Sequence, residues 1–99
     1  MKRPVPMRTR LAAKGIGENL AAWRKLRSLT VQQMADKADV SRATISRLEK
    51  GDPSIAFHTV LNVCNALGIT DAVLTATDPY ETDFGRAQAD RSLPQRVRN

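Results

Sequence analysis

The stretch Leu29-Thr30-Val31-Gln32-Gln33-Met34-Ala35-Asp36-Lys37-Ala38-Asp39-Val40-Ser41-Arg42-Ala43-Thr44-Ile45-Ser46-Arg47-Leu48-Glu49-Lys50-Gly51 reads as two short helices separated by about three residues. Thr30 followed three positions later by Gln33 is a capping box, in which each side chain satisfies a free backbone N–H near the other. Val31, Met34, Ala35 and Ala38 then recur on one helical face. This helix has to stop near Asp39, because a new N-cap, Ser41, follows two residues later. The next helix is closed by Gly51 just past its end and by Pro53 beyond it. Val40 is the expected buried wedge of the turn, and small Ala35 suits the close approach of the two helices.

A helical wheel gives the second of these helices an inner and an outer side. At about 100° per residue, Ile45 and Leu48 set the inward direction. Ala43, Ser46, Arg47 and Lys50 fall opposite, with Arg42 and Thr44 on the flanks and Glu49 turned back toward the core edge. The outer side thus carries arginines, hydroxyls and a methyl group, and no acid. Arginine can grip guanine O6 and N7 with two bonds, methyl groups can meet thymine, and hydroxyls can bond bases or phosphates. The length relation and this chemistry predict a helix-turn-helix that reads the major groove of double-stranded DNA.

Outward from this centre, Ile16, Leu20, Trp23 and Leu26 or Arg27 form a first helix that runs to Leu29. A fourth helix starts between Ser54 and Phe57 and carries Val60, Leu61, Val63, Cys64 and Leu67 to Gly68. Thr70-Asp71 opens a short fifth helix over about 71–76, and 82–92 has room for a further turn or two. No strand pattern exceeds three residues. The expectation is an all-α fold: a compact five-helix domain over 15–77, a flexible basic arm over 1–14 and a C-terminal tail over 78–99. Trp23 and Phe57 are expected as core anchors, Cys64 as a small buried residue and His58 as a surface residue.

Ninety-nine residues with 16 Lys+Arg against 10 Asp+Glu give a net charge of +6. That balance suits a polyanionic partner. The charge is concentrated: residues 1–27 hold eight basic groups against Glu18 alone, residues 28–77 are nearly neutral, and the tail balances to zero. A basic run such as 1–14 serves either as a backbone-clamping arm, with Arg3, Arg8 and Arg10 on phosphates, or as a solvated terminus. Aromatic residues make up only 4%, too few for a base-stacking platform on single strands. No apolar run could span a membrane, and no apolar segment follows the basic N-terminus as a secretory signal would require.

One cysteine makes neither an internal disulfide nor a zinc site, and predicts a reducing, cytoplasmic setting. There is no phosphate-binding loop, dinucleotide fingerprint or nucleophile–base set, so the chain is expected to be no enzyme and to use no cofactor or metal.

Residues 16–68 resemble the XRE family of helix-turn-helix regulators, which includes phage Cro-type and lambda-repressor-like proteins. The resemblance is carried by Leu29 to Ala35, by Val40 to Gly51 and by Leu67-Gly68-Ile69. It implies that Arg42, Ala43, Thr44, Ser46 and Arg47 face an operator and that Arg24 pairs with Glu49. Ser41, Thr30, Gln32 and Gln33 are then expected near phosphates at the two helix starts. Two departures stand out: Val31 replaces a common glutamine, and Asp39 occupies the turn position usually held by glycine. A regulator of this size needs two copies on adjacent half-sites, so a homodimer on an operator is expected.

The tail, through Asp78-Pro79-Tyr80-x-Thr82-Asp83-x-Gly85-Arg86 and Leu93-Pro94-Gln95-Arg96-Val97-Arg98, resembles that of HipB-like antitoxins. This implies a HipA-like kinase toxin as partner, with Tyr80, Phe84, Leu93, Arg96 and Val97 as contact residues, and repression of a toxin–antitoxin operon. The alternatives are a stand-alone phage-type repressor and a protein-interaction module of the helix-turn-helix coactivator type.

Overall fold

The computed structural model describes residues 3–89. Helix follows helix: α1 (Met7–Leu26), α2 (Val31–Ala38), α3 (Arg42–Glu49), α4 (Phe57–Leu67), α5 (Thr70–Thr77), a single 3₁₀ turn at Pro79–Glu81 and α6 (Asp83–Ala89). No strand occurs among the described residues. The expected all-α class is therefore observed, with a sixth helix in the region where a further turn was anticipated.

The chain divides after Gly68 into two compact units. Helix α5, expected within the 15–77 domain, falls in the second unit together with 78–89.

Two devices recur at helix ends in the first unit, side-chain caps at the starts of α2 and α3 and left-handed residues after α1 to α4. Thr30 and Ser41 cap α2 and α3 with side-chain oxygens, each accepting from a backbone N–H three residues on. At their C-terminal ends, α1, α2, α3 and α4 close on residues with positive φ: Ser28 (58°), Asp39 (58°), Gly51 (89°) and Gly68 (76°). After α1, α2 and α3 a backbone N–H reaches back five residues: Leu29 to Arg24, Val40 to Ala35, and Asp52 to Arg47, each at 3.0 Å. These bonds satisfy carbonyls that the helix itself leaves open. Asp39 adopts the left-handed conformation as anticipated, at a modest cost that its short polar side chain tolerates.

The core of the first unit is drawn from one face of each helix. Leu20 comes from α1, Met34, Ala35 and Ala38 from α2, Ile45 and Leu48 from α3, and Val63, Cys64 and Leu67 from α4. Helix α2 packs on both α3 and α4, and α3 packs on α1. The Asn62 side chain donates to the Ala38 carbonyl at 3.2 Å, tying α4 to the end of α2.

Gly17 lies where α1 crosses the end of α3. A Cβ there would collide with the Leu48 carbonyl oxygen and come within 2.9 Å of that of Glu49. Contact between the two backbones thus needs glycine at this position.

Five sequence expectations are corrected. The arm assigned to 1–14 is helical from Met7, so α1 has 20 residues and starts well before Ile16. Pro6 stands at its N-cap, and Arg8 to Lys14 consists mainly of strong helix formers that extend a helix already nucleated downstream. The first helix ends at Leu26 instead of running to Leu29, because Ser28 turns left-handed.

Trp23 is 39% exposed, because Gly17, Leu20 and Arg24 define the buried face of α1 and leave Trp23 at its edge. There the Arg27 guanidinium lies 5.5 Å from the indole centroid, within cation–π range. Phe57 is 73% exposed at the start of α4. With Ile16, Ile55 and Val60 it lines an apolar cleft of about 250 Å³ instead of entering the core. Val40, expected to be buried, is half-buried.

In the second unit, α5 has no buried residue. The segment 78–89 is organised by its own side chains. Asp78 accepts from the Tyr80 N–H at 2.9 Å, and the Thr82 hydroxyl donates to the Pro79 carbonyl at 2.6 Å while accepting from the Gly85 N–H at 2.9 Å. Arg86 donates to the Tyr80 carbonyl at 2.6 Å and to Asp83 at 2.9 Å. Gly85 sits against the Pro79 carbonyl with no room for a Cβ.

Candidate nucleic-acid interface

Helix α3 presents the face that its wheel predicts. Ile45 and Leu48 are buried, Arg42, Ala43, Arg47 and Lys50 are exposed, and Thr44 and Ser46 are half-buried. Glu49 is turned toward α1, where its two carboxylate oxygens accept from Arg24 Nε (2.7 Å) and Nη2 (3.1 Å). Both side chains are largely buried, 11% and 13% exposed. The only acid on helix α3 itself is thereby neutralised by a two-pronged ion pair.

Several predicted contact residues are already committed inside the protein. The Gln33 side-chain oxygen accepts from the Thr30 N–H at 2.9 Å while the Thr30 hydroxyl accepts from the Gln33 N–H at 3.0 Å. Only the amide NH₂ of Gln33 is left to reach outward. Gln32 donates to Asp36 at 2.8 Å, one helical turn on. The Ser41 hydroxyl accepts from the Thr44 N–H at 3.1 Å and shares a bond with the Thr44 hydroxyl at 2.9 Å. Thr30, Gln33 and Ser41 build the helix starts, which is why cap chemistry alone could locate them.

Among the described residues, the side chains of Arg42 and Lys50 form no intramolecular hydrogen bond or ion pair. Arg47 differs. Its Nε donates to Asp52 at 2.8 Å and its Nη2 to Ser54 at 3.3 Å, so this side chain is held in one place. Asp52 also accepts from the Ser54 backbone N–H at 2.8 Å and from the Ser54 hydroxyl at 2.6 Å. The Ser54 bonds, with Arg47 adding to them, hold the Asp52 carboxyl at about 2, below its ordinary 3.8.

The helical start of α1 alters where the basic charge lies. Arg8, Arg10 and Lys14 stand on exposed positions of α1, and Arg3 precedes the helix. Arg10 and Lys14 line a groove of about 470 Å³ together with Lys50, Gly51, Pro53, Val5, Met7 and Leu11. The approach is close, since a Cβ on Gly51 would lie 2.6 Å from the Lys14 Cα. Lys14 therefore joins Lys50 and Arg10 at the C-terminal end of α3. Sequence reasoning counted Lys14 in the basic run without placing it there, because the contact depends on how α1 crosses α3.

Among the described residues, no group of three His, Cys, Asp or Glu side chains is placed to hold a metal ion. Cys64 is buried, and desolvation pushes its thiol above the ordinary 9.0. No described helix is long and apolar enough to cross a membrane. Tyr80 and Phe84 are exposed in the second unit, whereas Leu93, Arg96 and Val97 lie outside the described residues.

A capped helix, a tight left-handed turn and a second capped helix with an acid-free outer face define a helix-turn-helix. The comparison with known families agrees: a model described as Helix-turn-helix matches residues 20–74. The chain belongs to the XRE-type helix-turn-helix family, a class of DNA-binding transcription regulators. It is also 36% identical over 67 residues to YqaE of Bacillus subtilis (strain 168), an uncharacterised HTH-type transcriptional regulator. The match covers 68% of this chain and 58% of that relative's length.

Proposed function

We propose that the protein is a sequence-specific, double-stranded-DNA-binding repressor that acts as a homodimer. In this reading α3 enters the major groove, and Arg42 and Arg47 contact bases with Ala43, Thr44 and Ser46 beside them. The N–H groups that the caps leave free in the first turns of α2 and α3 meet phosphates, with Thr30, Gln32, Gln33 and Ser41 beside them. Arg3, Arg8, Arg10 and Lys50 add sequence-independent attraction. The observation that carries the reading is the outer face of α3, on which two exposed arginines and Lys50 stand while the helix's own acid, Glu49, is turned inward and paired. Two copies would read half-sites about 34 Å apart, one helical turn of DNA.

Selection from a randomised duplex library tests this directly. A two-fold symmetric consensus with half-sites about 10 base pairs apart is the expected outcome. Enrichment of no sequence above background would remove the reading.

A second, finer role is supported by the self-capped segment 78–89, which leaves Tyr80 and Phe84 exposed. Such residues suit a protein partner, and the HipB-like pattern makes a HipA-like kinase toxin the one to try first. Co-purification with such a kinase should be lost on truncation after Asp78 while DNA selection persists. Co-purification unaffected by the truncation would remove this role for the tail.

A further inference from the structure

We propose that Asp52 is a positioning residue for DNA reading: it grips one edge of Arg47 so that the other edge of the guanidinium is presented to a guanine. The proposal rests on the DNA-binding reading above and deepens it. It starts from the loop after α3, where Gly51 turns left-handed and the Asp52 N–H returns to the Arg47 carbonyl at 3.0 Å. Asp52 therefore holds Arg47 twice, through the main chain and through its carboxylate. Ser54 completes the clasp. Its N–H and hydroxyl both bond one carboxylate oxygen, and the other oxygen takes Arg47 Nε. No atom of the carboxylate is left without a partner.

The chemistry of the guanidinium decides what remains. Nε and Nη2 share one edge, and that edge is occupied by Asp52 and Ser54. Nη1 forms no hydrogen bond within the described residues, so the end of the fork made by Nη1 and the outer hydrogen of Nη2 stays open. This is the edge that pairs with guanine O6 and N7. An arginine free in solvent would surrender its rotamer freedom on binding, whereas a clasped one has surrendered it on folding. The paired carboxylate also adds little repulsion toward phosphate, since Arg47 balances its charge in place.

Opposite signs separate this role from a bland one. If Asp52 were only an acid near DNA, its neutralisation would tighten binding to every sequence. If it masked Arg47, its removal would also tighten binding. A positioning role predicts weaker binding to the selected site alone.

The experiment compares Asp52→Asn, Ser54→Ala and Arg47→Ala with the unaltered full chain, each on its selected duplex and on a random-sequence duplex. Thermal midpoints are recorded so that all binding is measured on folded protein. The expected result for Asp52→Asn is about a fivefold loss on the selected duplex, with the preference relaxed at the base pair that Arg47→Ala also relaxes. Binding to the random duplex should hold or rise. In an Arg47→Ala background, Asp52→Asn should change the selected-site affinity less than twofold. Ser54→Ala should shift preference at the same base pair by a smaller factor.

Equal or tighter binding of Asp52→Asn to the selected duplex overturns the proposal. So does a loss that persists in the Arg47→Ala background. If the unaltered protein selects no sequence, the DNA-reading function itself fails and the proposal falls with it. If it selects a site at which Arg47→Ala is silent, only the proposal fails.

Discussion

Arg24 on α1 binds Glu49 at the end of α3 through two guanidinium nitrogens, while its third, Nη1, donates to the Leu29 carbonyl at 2.8 Å. One side chain thus joins the first helix, the turn that precedes α2 and the reading helix. Water does not readily replace these three bonds, because the group is largely buried. Arg24→Ala leaves Glu49 charged and unpaired, and should cost about 3–5 kcal/mol in denaturant unfolding. Adding Glu49→Gln to that variant should recover part of the loss. A cost below about 1 kcal/mol would show that the pair behaves as a surface ion pair.

Gly17→Ala tests the backbone contact between α1 and α3. The new methyl group must push against two carbonyl oxygens that belong to a helix end and cannot swing away. We expect a loss of about 1–3 kcal/mol, read from the unfolding midpoint, although alanine is the better helix former. A stabilised variant would mean that the helices separate at no cost.

Arg42 and Arg10 should fail in different ways. Arg42→Ala should cost about 1–3 kcal/mol on a selected duplex and relax preference at one base pair. Arg10→Ala should weaken all sequences alike and lower the slope of log affinity against log salt by about one. Equal losses for both variants on selected and random duplexes would contradict these roles.

The Asp52 carboxyl should titrate near 2 when followed by carbon NMR. Its folded value lies below the ordinary 3.8, so its stabilisation is full above that value and is lost as pH falls through about 2. Ser54→Ala and Arg47→Ala should each move the midpoint up toward 3.8, and Ser54→Ala should move it further, because the Ser54 side-chain bond is the larger cause. A midpoint of 3.8 in the unaltered protein would mean the clasp is open in solution.

The helix-turn-helix was legible because its determinants are local. Thr30 and Gln33, Ser41 and Thr44, and Asp39 and Gly51 act over two to five residues, and cap chemistry is written in side-chain type. The inward face of α3 followed from Ile45 and Leu48 by geometry alone. The start of α1 was harder to see, because Pro4 and Pro6 masked a helix whose early apolar residues, Met7 and Leu11, face a groove and not the core. Trp23 and Phe57 misled for a related reason. Large apolar side chains raise the expectation of burial, but which face of α1 or α4 turns inward is settled by the helix that packs against it.

Residue order along the chain was enough to define two capped helices, the turn between them and the chemistry of the outer face, since each depends on neighbours in sequence. Three relations needed the folded molecule. Gly17 is required because α1 crosses α3 at backbone contact, Lys14 joins Lys50 because of the same crossing, and Arg47 is held because Gly51 turns Asp52 back upon it. The first two come from the packing of helices distant in sequence, and the third from a left-handed turn that aims a carboxylate. Local spacing specifies which groups a segment carries, and packing and turn geometry specify which of them meet.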